Sequence, residues 1–125
     1  MERRPKVRTL YLSGAMRNQH QWGFAAFDRA AKQLRRAGYN VINPAEMDRA
    51  IHIHEYTERV TPQHFRRFLR RDAAAIARSN GIAQIPGWER SEGSLVEQTL
   101  GQFLINGGVD FEIKSVEAWL EEAKH

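Results

Sequence analysis

Two acidic residues sit where solvation alone does not explain a carboxylate. Glu97 lies in the run Gly93-Ser94-Leu95-Val96-Glu97-Gln98-Thr99-Leu100-Gly101, so on a helix it stands between glycines four residues away on either side. Glycine costs a helix about 1 kcal/mol against alanine, and two of them around one carboxylate imply that something approaches that row closely. Asp72 follows Phe65, Phe68 and Leu69 and precedes Ile76, which mark the buried face of a second helix, and it falls on that same face. An acid on an apolar stripe is costly unless it is paired or functional. Two such groups facing one site could divide the roles of acid and nucleophile, the environment of each setting its protonation state. The competing reading is structural: close helix packing beside an exposed Glu97, and an ion pair of Asp72 with Arg71 or Arg66.

The elements that must position them alternate along the chain. Val7–Leu12 is β-rich and ends at Gly14, Trp22–Ala37 is a helix with Phe24, Phe27, Ala31 and Leu34 on one face, and Gly38 stops it. Tyr39–Ile42 is a second strand closed by Asn43-Pro44, which completes a βαβ unit. Residues 45–60 are less regular: Ala45–Asp48 opens a short helix, and a fifth strand could fall within 48–57. Thr61-Pro62 is an N-cap followed by proline at the first helical position, and that helix runs to Ser79. Strand Gly81–Ile85 follows. Pro86-Gly87 stops it, and Ser91 caps a helix over 92–105 whose Val96, Leu100, Phe103 and Leu104 have core-facing spacing. A strand over Val109–Ile113 and a helix over Ser115–Ala123 close the chain. Strands alternating with helices predict one domain over residues 1–125 with an α/β, doubly wound parallel sheet of about five strands and helices on both faces.

In such sheets ligands bind at the carboxyl ends of the strands, where strand order reverses. Three loops leave those ends: Ser13–Arg17, Asn43–Asp48 and Pro86–Ser91. They make Gly14, Met16, Arg17, Asn43, Asp48, Trp88 and Ser91 the candidate substrate contacts, with Gly93 in the first turn of the helix that follows. A five-residue strand spans about 17 Å and a helix rises about 1.5 Å per residue. Counted back from Ser79, Asp72 reaches the upper part of the sheet layer and residues 61–68 overhang the site. Glu97, in the second turn of a helix that starts at the same edge, meets it there.

Composition narrows the classes. The chain has 125 residues, a net charge of +4 and no cysteine, so it has room for a core and no disulfide framework or cysteine metal site. His52 and His54 alternate without a third ligand in clear register and read as solvated loop residues, a weak signal for a metal site. The start, Met1-Glu2-Arg3-Arg4-Pro5-Lys6, lacks a signal peptide's apolar stretch, and no segment is long enough to span a membrane; a cytoplasmic location follows as an expectation. Arg66, Arg67, Arg70 and Arg71, with Arg35-Arg36, could neutralise phosphates of a nucleic acid, but no nucleic-acid motif accompanies them. Phe103, Leu104, Trp119 and Leu120 are more apolar surface than the last helices of a small domain need, which predicts a homodimer using helix 92–105 or its neighbours.

Four motifs in order carry a family resemblance: Tyr11-Leu12-Ser13-Gly14-Ala15-Met16, Asn43-Pro44-Ala45-Glu46-Met47-Asp48, Arg71-Asp72 with Ile76, and Pro86–Gly93 followed by Glu97. Together they resemble the nucleoside 2-deoxyribosyltransferase superfamily, in particular a branch of small, often phage-encoded proteins related to the 2′-deoxynucleoside 5′-phosphate N-hydrolases. The resemblance implies a flavodoxin-like fold, a homodimer or larger assembly, no metal or cofactor, and a nucleoside or nucleotide substrate. It implies that Glu97 attacks or stabilises C1′ of the sugar, that Asp72 serves base protonation and sugar orientation, and that Tyr11 is a site tyrosine. It assigns Gly14 and Arg17 to the loop that contacts a 5′-phosphate in the N-hydrolases, and Ser91 to the serine of a Ser-x-Gly turn. The sequence departs from those relatives at Ala15 and at Trp88-Glu89-Arg90. N-glycosidic cleavage through an oxocarbenium-like state needs a carboxylate near C1′ and a proton for the leaving base, which suits these residues. The other readings are a nucleotide-binding or interaction protein without turnover, and the nucleic-acid binder.

Overall fold

The structure is a computed structural model describing residues 7–16, 23–53 and 61–125. Arg17, Trp22, His54 and the first six residues lie outside the described residues. In chain order the elements are β1 (Thr9–Ser13), α1 (Phe24–Arg36), β2 (Asn40–Ile42), α2 (Pro44–Ala50), α3 (Pro62–Ala77), β3 (Gly81–Gln84), α4 (Glu92–Asn106), β4 (Glu112–Ser115) and α5 (Val116–Ala123), with a 3₁₀ turn at Trp88–Arg90. The strands form one parallel sheet of order β2-β1-β3-β4. Among the described residues four strands stand where about five were expected, and 54–57 of the expected fifth lie outside the described residues. Residues 48–50 continue α2 and 51–53 form a turn, so that part of the proposed fifth strand is not extended.

β1 shows how one strand serves both faces. Side chains alternate along it. Leu10 and Leu12 enter a cluster with Ala83 of β3, Phe24, Phe27, Ala31 and Leu34 of α1, and Trp119 of α5. Tyr11 packs on the other face with Ile82, Ala75, Ile76 and Phe111, under α3 and α4. All four β1 residues from Leu10 to Ser13 are buried. A parallel sheet covered on both faces requires such a continuous buried run.

Caps set where the helices begin. The Asn43 carboxamide oxygen accepts the Ala45 N–H at 3.0 Å, and Pro44 opens α2. The Thr61 hydroxyl accepts the His64 N–H and the His64 ring accepts the Thr61 N–H, a reciprocal capping pair that starts α3. The Ser91 hydroxyl accepts the Ser94 N–H at 3.2 Å and starts α4.

Three expectations need correction. β4 starts at Glu112 rather than Val109, because the Val109 N–H still bonds the Leu104 carbonyl at 3.0 Å and residues 107–110 complete the exit from α4. On α3, Phe65 and Leu69 are exposed rather than core, since the first half of that helix runs past the sheet; Ala75 and Ile76 are its buried residues. On α4, Val96 and Phe103 point outward, Phe103 at 76% exposure, and Glu97 and Gly101 face the sheet instead, while Gly93 is exposed. Gly101 explains the rotation. A Cβ there would stand 2.8 Å from Ile82 Cδ1 and 3.0 Å from both Ile113 Cδ1 and Phe111 Cε1, so only glycine lets the helix lie this close to β3 and β4.

Trp119 is not surface either. Its ring is fully buried and its indole N–H donates to the Ile82 carbonyl at 2.9 Å. Arg8 and Lys114 cover its ring at 5.2 and 4.4 Å from the centroid. Gly81 makes room, since a Cβ there would meet the indole at 2.6 Å. Among the described residues no helix is long and apolar enough to cross a membrane.

Candidate active site

The chain leaves β1 toward β2 on one side, and β3 pairs with β1 on the other. The gap beyond the carboxyl ends of β1 and β3 is therefore the point where a parallel sheet can hold a ligand. A cavity of about 140 Å³ lies there. Gly14 and Met16, just after β1, form one side, and Asp48 of α2 closes it from below. Phe65, Phe68, Arg71 and Asp72 of α3 overhang it, while Ser91, Gly93, Ser94 and Glu97 of α4 form the opposite wall. The volume is below the roughly 300–1,000 Å³ of pockets that enclose a drug-sized ligand. The cavity has room for about one ring of a ligand.

Glu97 is the best-anchored polar group. Tyr11 donates its hydroxyl to one carboxylate oxygen at 2.6 Å, and Ser13 donates to the other at 2.7 Å. Both donors are on the same face of β1, two residues apart, so a single strand fixes both oxygens. Burial pushes the Glu97 carboxyl up to about 7; the two hydroxyl bonds oppose that shift and nearby Asp72 adds to it. Tyr11 is held well above its ordinary value by burial and by the adjacent carboxylates Glu97 and Asp72, so it remains a donor. At neutral pH Glu97 is thus present in both protonation states.

A second polar chain crosses the cavity. The Arg71 Nε donates to Asp72 at 2.7 Å and its Nη1 to Asp48 at 2.6 Å, with the guanidinium 5.2 Å from the Phe68 ring centroid. Burial raises the pKa of both Asp48 and Asp72 despite the guanidinium between them, and in Asp72 the Tyr11 hydroxyl also draws it back. Burial acts to lower the Arg71 value, but its bonds to the two carboxylates outweigh it and keep the charge. Asp72 therefore both shares the cavity with Glu97 and has the ion pair that the structural reading expected.

Two expected contacts are elsewhere. Asn43 is buried as the cap of α2 and donates its amide to Asp28 at 3.1 Å, so its side chain is used by the fold. Trp88 sits in the 3₁₀ turn and does not line the cavity. Arg71 turns inward, leaving Arg66, Arg67 and Arg70 as the exposed basic face of α3. His52 is an exposed turn residue with φ of 66°. Among the described residues no cluster of three or more acidic or imidazole side chains is arranged to hold a metal ion.

The sequence pattern of the family described as "Domain of unknown function (DUF4406)" matches residues 8–106. The chain belongs to that family. The DUF4406 match runs from the residue before β1 to the end of α4, so it contains every residue that lines the cavity, together with Tyr11 and Ser13. β4 and α5, which bury Trp119, lie beyond it. No curated protein matches the chain.

Sequence reasoning missed Ser13, Ser94 and the inward role of Arg71. For Ser13 the signal was present: a site assigned to Tyr11 on a strand implies the residue two positions on. Ser94 depends on how α4 is rotated about its axis, which the apolar pattern misplaced, and Arg71 on the end of α3 that overhangs the cavity, where the apolar pattern no longer reports the core.

Proposed function

We propose that this DUF4406 protein cleaves or transfers at the N-glycosidic bond of a nucleoside or nucleoside 5′-monophosphate, with Glu97 acting at C1′ of the sugar. The observation that carries the reading is a buried carboxylate with both oxygens held by Tyr11 and Ser13, on the wall of a ring-sized cavity that a second carboxylate, Asp72, shares. Cleavage of a glycosidic bond between paired carboxylates follows this pattern. Ionised Glu97 attacks or electrostatically stabilises C1′ as the C1′–N bond breaks and its electron pair passes to the base. Asp72, raised by burial, supplies or relays the proton that the departing base takes up. Water, or a second base in a transfer, then attacks C1′ and frees Glu97.

The test is a time course of free base with a nucleoside 5′-monophosphate, a nucleoside, and a nucleoside plus acceptor base, run on wild type and Glu97→Ala. Base release from wild type that Glu97→Ala abolishes supports the reading. Equal rates for the two proteins, or no base from any substrate, overturn it in favour of a binding protein. Asp72→Asn is expected to abolish base release with little loss of fold.

The same reading includes a homodimer. Its support is now Leu95, Val96 and Phe103, exposed along the outer face of α4, rather than Trp119. A monomer by light scattering at micromolar concentration counts against that assembly.

A further inference from the structure

Ser94 lies one helical turn before Glu97, lines the cavity and is only 1% exposed, yet among the described residues its hydroxyl has no hydrogen-bond partner. The two other buried serines are satisfied: Ser13 donates to Glu97 at 2.7 Å, and Ser79 donates to the Ala75 carbonyl at 2.7 Å. A hydroxyl inside a helix usually has such a carbonyl four residues back, and Thr99 on α4 uses that of Leu95 at 3.0 Å. Ser94 does not. Four residues back is Arg90, in the 3₁₀ turn before the cap of α4. Three back is Ser91, whose carbonyl accepts the Leu95 N–H at 3.1 Å and whose hydroxyl accepts the Ser94 N–H at 3.2 Å, and the Ser94 hydroxyl bonds neither. The hydroxyl is left at the wall of the cavity that Ser94 lines.

A buried hydroxyl without a partner carries the cost of its lost hydration, and alanine is the better helix former. Among the described residues no group bonds the serine oxygen. Buried polar atoms of this kind mark the place of a ligand or an ordered water.

We propose that the Ser94 hydroxyl is a binding contact for the oxygen on C5′ of the bound sugar, whether that oxygen is a free hydroxyl or the bridging oxygen of a phosphate ester. This rests on the reading that Glu97 addresses C1′. Ser94 is about 4.5 Å from Glu97 along the helix axis, a span comparable to that from C1′ across a furanose to its exocyclic oxygen. The wall beside it is open: a Cβ on Gly93 would meet only the Ser91 hydroxyl, at 3.7 Å. The amino end of α4 also favours an electron-rich oxygen.

The experiment is a cycle in which the ligand loses the oxygen and the protein loses the hydroxyl. Binding is measured by calorimetry to Glu97→Gln, expected on that reading to hold substrates without turnover, with and without Ser94→Ala. The ligands are adenosine, guanosine, cytidine and uridine, each as the nucleoside, its 5′-deoxy analogue and its 5′-monophosphate, and the tightest-binding series is used. Ser94→Ala is expected to weaken nucleoside and monophosphate about tenfold, to change 5′-deoxynucleoside binding less than twofold, and to leave the melting temperature of the free protein equal or higher. A loss confined to the monophosphate assigns the contact to the phosphate rather than C5′ oxygen and overturns the proposal. So does an equal loss for all three ligands, an unchanged affinity for all, or no binding by any series. Because the readout is binding, absence of base release by wild type would sink the proposed reaction while this cycle could still return its result.

Discussion

The two faces of β1 are built from adjacent residues for opposite ends. On the side of α1 and α5, Leu10 and Leu12 meet an apolar cluster closed by Trp119, and the polar groups there stay at the edge, where Arg8 and Lys114 share Glu112 and Glu122. On the side of α3 and α4, Tyr11 and Ser13 spend their hydroxyls on Glu97, and a second acid pair, Asp48 and Asp72, is buried around one guanidinium. The first face removes apolar area from water with little polar surface to compensate, which is the dominant favourable term in folding. The second buries carboxylates whose pKa values rise, so ionising them opposes folding. The difference teaches that stability and chemistry are separated by the pleat of a single strand.

The strongest test of that separation is Glu97→Gln. Base release should fall by roughly 10⁴-fold or more, the scale on which a nucleophile's removal acts, while the fold survives because glutamine keeps the shape and both hydroxyls can reorient. Trp119→Ala should do the reverse. It should cost about 3–5 kcal/mol in urea unfolding and leave the titration of Glu97 in the folded protein unchanged by NMR. A loss of activity from Trp119→Ala in folded protein would break the comparison.

A smaller effect sharpens it. Glu97 has a pKa of about 7 in the folded protein against the ordinary 4.5. Between those values the folded state holds a proton that the unfolded state has released, so stability falls as pH rises through the window and the full penalty is present above about pH 7. The shift corresponds to about 3 kcal/mol. Glu97→Gln should therefore unfold like wild type at pH 4 and be up to about 3 kcal/mol more stable at pH 8, measured by urea melts at both pH values. Over the same range kcat/KM for base release should rise through about pH 7 as Glu97 ionises. The smallest expected change is in Tyr11→Phe. Its hydroxyl favours the ionised form of Glu97, so without it that limb of the pH profile should move up by roughly one unit, the worth of one charge-assisted bond.

The two faces also differ in how much of them could be read from sequence. Phe24, Phe27, Ala31 and Leu34 announced the apolar face because a core stripe on a helix repeats with the helix period. The alternation of strands and helices gave the parallel sheet for the same reason. The other face resisted. Val96 and Phe103 looked like core because hydrophobicity was the signal, whereas α4 is oriented by the absence of a side chain at Gly101. Phe65 and Leu69 misled in the same way, since they overhang a cavity instead of filling a core. Asn43 lay in the right loop, but a capping role and a ligand role use the same residue type. Glu97 and Asp72 were legible because each breaks a local rule.

The bonds that hold Glu97 join residues 84 and 86 positions apart in the chain. Contacts of such separation form only after long loops have closed, and they slow folding. β1, the first strand made, must wait for α4 before Tyr11 and Ser13 find their acceptor. A carboxyl titrating near pH 7 is thus a kinetic marker: in refolding followed by pH jump, Glu97 acquires its shifted proton affinity only when the two ends of the family domain have met.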